Sequence, residues 1–423
     1  MVRTMKNSGI EWIGEIPENW MVERLARHLM EINEKNFPIK TTNVLSLTNK
    51  LGVIPYEDKG NQGNKAKENY EEYKIAYKDT IIANSMNILI GSVGYSNYYG
   101  CVSPVYYVFK EKPGNNLYFL NYIMQTPQFQ KELRKYANGI LEIRLRLSAN
   151  DILKRMVAFP PNNEQEKIAA LLDDKCEEID EIITKTEQSI EEYKKLKQSV
   201  ITKAVTKGIH SNRLMKDSGI EWIGKIPEDW DIKKIRYLFK LRDERNTLPL
   251  SEVNLISLYT DLGVIQHCDI EATTGNKAQN ADGYKKVYNN DIVVNIILCW
   301  MGAVGRSAYD GVTSPAYDVY EPINNANSKF YHYYFRTKGF NGECYQAGKG
   351  IMLMRWRTYS EQFKAIKVLV PSPEEQEEIV KYLDEKCSEI DVLIEKKQQF
   401  LTELANYKKS LIYEYVTGKK EVA

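Results

Sequence analysis

The chain is a tandem duplication. Fifteen residues near its start, Lys6-Asn-Ser-Gly-Ile-Glu-Trp-Ile-Gly-Glu-Ile-Pro-Glu-Asn-Trp20, return as Lys216-Asp-Ser-Gly-Ile-Glu-Trp-Ile-Gly-Lys-Ile-Pro-Glu-Asp-Trp230, with 12 of 15 identical at an offset of 210. Asn43–Ile54 matches Asn254–Ile265, Ser103–Tyr106 matches Ser314–Tyr317, Gly139–Arg146 matches Gly350–Arg357, and Glu164–Asp180 matches Glu375–Asp391, all at 211. An offset that moves by one residue over a whole half means that one unit has been copied. Two copies are too few for a solenoid, in which three or more repeats must stack, and fit two equivalent modules acting side by side.

Each copy divides into two physically different parts. The first has Gly, Asn, Tyr and short β-branched runs such as Thr80–Ala83 and Ile292–Val294, separated by turn residues. That predicts a mixed, mainly β domain with a few helices, one of them over Leu117–Asn138. The second part predicts a long helix. Asn162-x-x-Gln165 and Ser372-Pro373-x-Glu375 read as helix starts with capping boxes, and the acidic first turns suit the positive end of the helix dipole. Apolar residues then recur at three-and-four spacing: Ile168, Leu172, Cys176, Ile179, Ile183, Ile190, Tyr193, Val200 and Ala204, and in the other copy Ile379, Leu383, Cys387, Ile390, Ile394, Leu401, Leu404, Leu411 and Tyr415. Each run covers about 40 residues, so each helix is about 60 Å long, and a stripe this long is a coiled-coil seam. The simplest pairing sets one helix against the other, antiparallel. The expected fold is α+β: two pseudo-twofold-related mixed domains, residues 1–160 and 216–370, separated by helices in 161–215 and 371–423. Cys176 and Cys387 then pack in the seam, too far apart for a disulfide.

Composition sets the class. With 423 residues, 43% hydrophobic and 27% charged, the chain has apolar material for more than one core. It shows neither a membrane-length apolar run nor a signal-peptide core, and its six cysteines form no CxxC pair, so a cytoplasmic protein with reduced thiols is expected. The net charge of +1 hides an alternation: +5 over 1–160, −2 over 161–215, +2 over 216–370 and −4 over 371–423. Two kinds of surface with different partners are implied.

Enzyme signatures are missing. Gly342-x5-Gly348-Lys349-Gly350 is one residue too long for a phosphate loop and lacks its Ser/Thr. No Gly-x-Gly-x-x-Gly follows a strand, so no cofactor is expected. The histidines (28, 210, 267, 332) have no Cys or carboxylate at ligand spacing, so no metal is expected. Asp229-Trp-Asp231-Ile-Lys233 has the groups of a nuclease, but its repeat partner, Asn19-Trp-Met21-Val-Glu23, lacks them.

Three features remain as candidates for contacting nucleic acid. Arg144 and Arg146, with Arg355 and Arg357, stand two apart in extended stretches beside glycines and Lys349, so each pair points one way, toward successive phosphates or guanine edges; surface salt bridges are the other reading. Asn84, Asn87 and Asn295 lie in polar-glycine segments, with Arg306 following the second, and such residues can read adenine or guanine edges; strand–turn packing would use the same glycines. Asn64-Lys65 and Asn276-Lys277 lie in basic-domain loops, where a plain surface loop is the alternative.

The paired Ser-Gly-Ile-Glu-Trp-Ile-Gly-x-Ile-Pro-x-x-Trp openings (8–20 and 218–230) resemble those of target recognition domains. The paired Pro-x-x-Glu-Gln-x-x-Ile-x-x-x-Leu-Asp-x-Lys-Cys-x-x-Ile-Asp helices resemble the repeats of type I restriction–modification specificity subunits, and the likeness spans essentially the whole chain. It implies a non-catalytic subunit. Each recognition domain would read one half of a bipartite double-stranded DNA site through the major groove. The paired helices would set the unspecified gap and hold two adenine-methyltransferase (modification) subunits, with restriction (motor and nuclease) subunits completing the complex. Individual base-reading residues do not carry over from the resemblance. The likeness of the two domains further predicts half-sites that share bases. A specificity subunit for a combined restriction–methylation enzyme, or a coiled-coil scaffold unrelated to DNA, are the alternatives.

Overall fold

The computed structural model describes residues 3–48, 52–60, 69–137, 145–269, 280–350 and 356–422. The chain forms two compact units, one made of Met1–Glu187 with Gln398–Ala423 and the other of Gln188–Lys397. They are not the sequence repeats. Each unit takes one β-rich domain, the first part of the long helix that follows that domain, and the last part of the other long helix.

In the first unit a four-stranded antiparallel sheet runs in the order Leu29–Ile32, Tyr106–Glu111, Thr80–Asn84, Val93–Ser96. Alternation along an interior strand sends neighbouring side chains to opposite faces. Ile81, Ala83 and Phe109 face a core shared with Phe119, Leu120, Ile123 and Phe129 of the helices Leu117–Gln125 and Pro127–Arg134. Ile82 and Val108 face a smaller core under the hairpin Leu45–Thr48/Gly52–Pro55. Both faces are covered, which is why Thr80–Asn84 is buried throughout. The single helix expected over Leu117–Asn138 is two: Thr126 takes an extended conformation, accepts the Phe129 N–H, and Pro127 begins the second helix. A proline at the first helical position has no N–H to continue the preceding ladder. Asn138 is outside the described residues.

The second unit repeats the plan. Its sheet order is Phe239–Arg242, Tyr317–Pro322, Ile292–Asn295, Val304–Arg306. Ile292, Val294 and Tyr320 face the core with the helices Ser328–Phe335 and Lys338–Ala347, while Val293 and Val319 face the hairpin side. Phe335, Phe340 and Phe363 pack with ring centroids 4.6–6.0 Å apart. In both units a two-stranded sheet, Met21–Arg24 with Met156–Phe159 and Asp231–Lys234 with Lys367–Val370, closes the start of the β-rich domain on its end.

The long helices run Asn162–Lys207 and Pro373–Val416. Inside the first unit, Ile168, Leu172, Cys176 and Ile179 share a core with Leu411, Ile412, Tyr415 and Val416, and Lys408 Nζ meets Asp180 at 2.6 Å. Inside the second, Ile379, Leu383 and Cys387 share a core with Ile201, Ala204 and Val205, and Lys197 Nζ meets Asp391 at 2.6 Å. The start of each helix therefore meets the end of the other, antiparallel, and the two ion pairs are the same contact made twice by repeat-equivalent residues. Cys176 and Cys387 are free and buried.

The helix starts depart in part from the expected capping boxes. Ser372 Oγ does accept the Glu375 N–H, at 3.2 Å. Asn162, however, is the first helical residue, with its side chain donating to Glu166. The glutamines serve the preceding domain: Gln165 accepts the Asn116 N–H and donates to the Pro160 carbonyl, as Gln376 does with Asn327 and Pro371. Each glutamine thus ties a helix start to its domain, and for Gln165 this tertiary use replaces the expected local cap.

Candidate nucleic-acid interface

In each unit the central strand leaves the sheet through the same device. Asn84 and Asn295 are buried, and their Oδ1 atoms accept the N–H groups of Met86 and Ile297, both at 3.0 Å. Such a turn ends the strand and starts a 3-10 turn, Ile88–Ile90 or Cys299–Met301. Gly91 and Gly302 close these turns with φ of 95° and 94°, the left-handed region that glycine enters without strain. Asn84 and Asn295 therefore spend their acceptor on the backbone. Asn87 opens its turn exposed, with no side-chain capping bond among the described residues; its equivalent is Leu298.

Arg306 lies beyond the second turn, half-buried. Its Nε donates to Asn290 Oδ1 at 2.7 Å and its Nη2 to Asn289 Oδ1 at 3.0 Å, both neutral amide oxygens. Burial lowers its pKa, and the positive charge is retained because a guanidinium starts from a pKa above 12. Arg336, which sequence reading missed, binds the Thr260 and Asp261 carbonyls at 2.9 and 2.7 Å and so clamps the neighbouring hairpin.

The two arginines enclose His332, whose Nδ1 accepts the Arg306 backbone N–H at 3.1 Å. Burial first, then Arg336 and Arg306, push the imidazole pKa down to about 3. A folded-state pKa below the unfolded value of about 6.5 means that the unfolded chain binds the proton more readily. The stability from neutral His332 is thus present above about pH 6.5 and is lost as pH falls toward 3. Between pH 7 and 5.5 the loss is about 1 kcal/mol. Urea unfolding at the two pH values should show it, and His332→Asn, the residue at position 121 of the other copy, should remove it. Equal pH dependence in the two chains would refute this.

Lys349 and Arg357 face each other across a backbone bridge, with N–H···O distances of 2.9 and 3.0 Å. Trp356, adjacent to Arg357, stacks on Tyr345 at 5.0 Å and donates to its carbonyl, while Tyr345 lies 5.7 Å from Trp300. A Cβ on Gly348 would sit 2.3 Å from Trp356 Nε1, so this seat needs glycine. This basic pair is thereby rooted on a partly exposed aromatic cluster. Its trace in the sequence was the tryptophan between two arginines, since alternate residues of an extended segment point to opposite sides. Arg146 is exposed at the equivalent place in the first unit. Asn64, Lys65, Arg144, Asn276, Lys277 and Arg355 lie outside the described residues. Asp229, from the nuclease-like run, is bound to Arg213 at 2.6 Å.

Comparison with known proteins agrees with this duplicated architecture. The model of the type I restriction modification DNA specificity domain matches twice, at residues 17–192 and 227–403. A putative type I restriction enzyme MjaX specificity subunit of Methanocaldococcus jannaschii is 24% identical, covering 97% of this chain and 96% of the relative. The MjaVIII specificity subunit of the same organism is 26% identical over 52% of this chain and 49% of its own length. Among solved structures, a chain from a study of assembly and conformational transition of the type I R-M system aligns with TM-score 0.70 at 11% identity, over 96% of this chain and 99% of that one. The HsdS subunit from Thermoanaerobacter tengcongensis aligns at 0.53 with 13% identity, over 96% and 98%. The chain belongs to the type I restriction–modification DNA specificity family. Among the described residues no helix is long and apolar enough to cross a membrane.

Proposed function

We propose that the chain is a non-catalytic specificity subunit, in which each β-rich domain reads one half of a bipartite double-stranded DNA site. On this reading the paired helices set the gap, the same helices hold two adenine-methyltransferase subunits, and restriction subunits join the larger complex. The observation that carries it is a repeated framework with altered contents. The Asn-turn, the left-handed glycine and the sheet order occur in both units. Around them Asn87 becomes Leu298, Tyr95 becomes Arg306, Asn121 becomes His332 and Gln125 becomes Arg336. Arg336 has a packing use in the hairpin it clamps, whereas Arg306 meets only neutral amide oxygens and keeps its charge at one edge of the matched scaffold, as reading two different base sequences would require. This favours unlike half-sites over shared ones.

The charge pattern agrees: the basic segments are the domains and the acidic segments are the helices. A net +5 and +2 is modest, so the subunit alone should bind DNA weakly and gain affinity within the complex. The test is adenine-methylation mapping of host DNA with and without the gene. One bipartite motif with unlike halves should lose methylation, and Arg357→Ala in the purified complex should weaken binding to that motif about tenfold. An unchanged set of methylated motifs would overturn the reading.

A further inference from the structure

Within the second unit, the last turns of the first long helix and the opening segment around Trp222 enclose a groove of about 690 Å³. Its charge is one-sided: Lys194, Lys195, Lys203, Lys207 and Lys338 line it against Glu191 alone. Lys194 is neutralised by Glu191 at 2.7 Å, and Lys207 donates to the Ile223 and Lys225 carbonyls. Lys195, Lys203 and Lys338 have no carboxylate partner among the described residues, and all three are exposed. Trp222 and Ile223 give the groove an apolar wall, and the ring of Trp222 lies against Gly339, where a Cβ would come within 2.0 Å of it.

The first unit does not repeat this feature. The positions equivalent to Lys194, Lys195, Lys203 and Lys338 are Ala405, Asn406, Glu414 and Pro127. The basic groove is therefore not a requirement of the helix pairing, which is the same in both units.

We propose that this groove docks an acidic, partly apolar segment of one methyltransferase subunit, so that the two partner sites are unequal and only the one on the second unit is salt-sensitive. The inference rests on the assembly role proposed above. Charge complementarity selects a polyanion, and the apolar wall selects a protein segment: a duplex backbone offers phosphates but no apolar side chains to cover Trp222 and Ile223. Each lysine whose charge is met in the complex adds to the salt dependence of association, because unmet charges are screened within about a nanometre at physiological ionic strength.

The experiment titrates the methyltransferase subunit of the same system onto the full chain at two salt concentrations, with wild type, K195E/K203E and the milder K195Q/K203Q. Wild type should take up two partners in steps of different affinity and salt dependence. The charge reversal should weaken one step tenfold or more and flatten its salt dependence, leave the other step unchanged, and the glutamine pair should fall between. Two steps unaffected by either variant would overturn the inference while leaving the assembly role intact. A wild-type chain that binds no methyltransferase subunit would overturn both. A variant that binds the partner normally but loses affinity for duplex DNA would show the groove to be a phosphate track and overturn it as well.

Discussion

A chain lengthened by four residues in each long helix, after Glu187 and after Lys397, is expected to direct methylation to a site whose gap is about two base pairs longer. Four residues add about 6 Å of rise and turn the helix about 40° beyond a full turn. Two base pairs add about 7 Å and about 70° of DNA rotation. The distances nearly match, and the residual angle of about 30° falls to bending of the helices and the DNA. Both insertions are needed because the helices pair antiparallel, as the contacts Asp180–Lys408 and Lys197–Asp391 require. The insertion points are where the chain passes from one compact unit to the other, so each unit keeps its own contacts. Methylation sequencing of a host carrying the lengthened chain reads the outcome directly. Methylation of the original motif with its original gap would refute the proposed role of the helices as a spacer.

Glu375→Ala should cost the second unit about 3 kcal/mol, the range found when one member of a buried ion pair is removed. Glu375 is buried and serves three donors: both terminal nitrogens of Arg213, and Trp230 Nε1 at 2.8 Å. The bond to Glu375, chiefly, raises the Arg213 pKa. Removing the carboxylate orphans the indole N–H and leaves Arg213 with Asp229 alone, at a junction where Gly208, just past the end of the first long helix with φ 75°, lies against Trp230 and Glu375. Glu164→Ala, at the equivalent position, should cost about 1 kcal/mol. There the carboxylate meets Arg3 at 2.5 Å and is partly exposed, and Trp20 Nε1 has no acceptor among the described residues to lose. Urea unfolding followed by tryptophan fluorescence compares the two. Equal costs would show that the acceptor bond of Trp230 contributes nothing to the difference.

The duplication, the helix stripe and the separation into basic domains and acidic helices are one-dimensional signals, and each is visible wherever a periodic or repeated pattern survives in the sequence. So are the strands at Thr80–Ala83 and Ile292–Val294, whose unbroken apolar character reflects a sheet covered on both faces. Antiparallel pairing followed from placing each helix after its own domain, and the core contacts bear it out.

What the sequence could not show is which polar side chains are already committed. Asn84 and Asn295 suit adenine recognition by type, yet each closes its own turn, because a buried strand end leaves backbone N–H groups that need an acceptor. Gln165 looks like a capping residue, yet it binds the preceding domain, as its repeat partner Gln376 does, and a helix in isolation has no such domain. Lys349, Trp356 and Arg357 form one structure with Tyr345 and Trp300 only because a backbone bridge and a helix end bring them together. Fold class and family were thus determined by the sequence alone, since they rest on spacing along the chain. The availability of individual groups for a partner was decided by the tertiary structure, since it depends on which buried donors and acceptors each side chain must first satisfy.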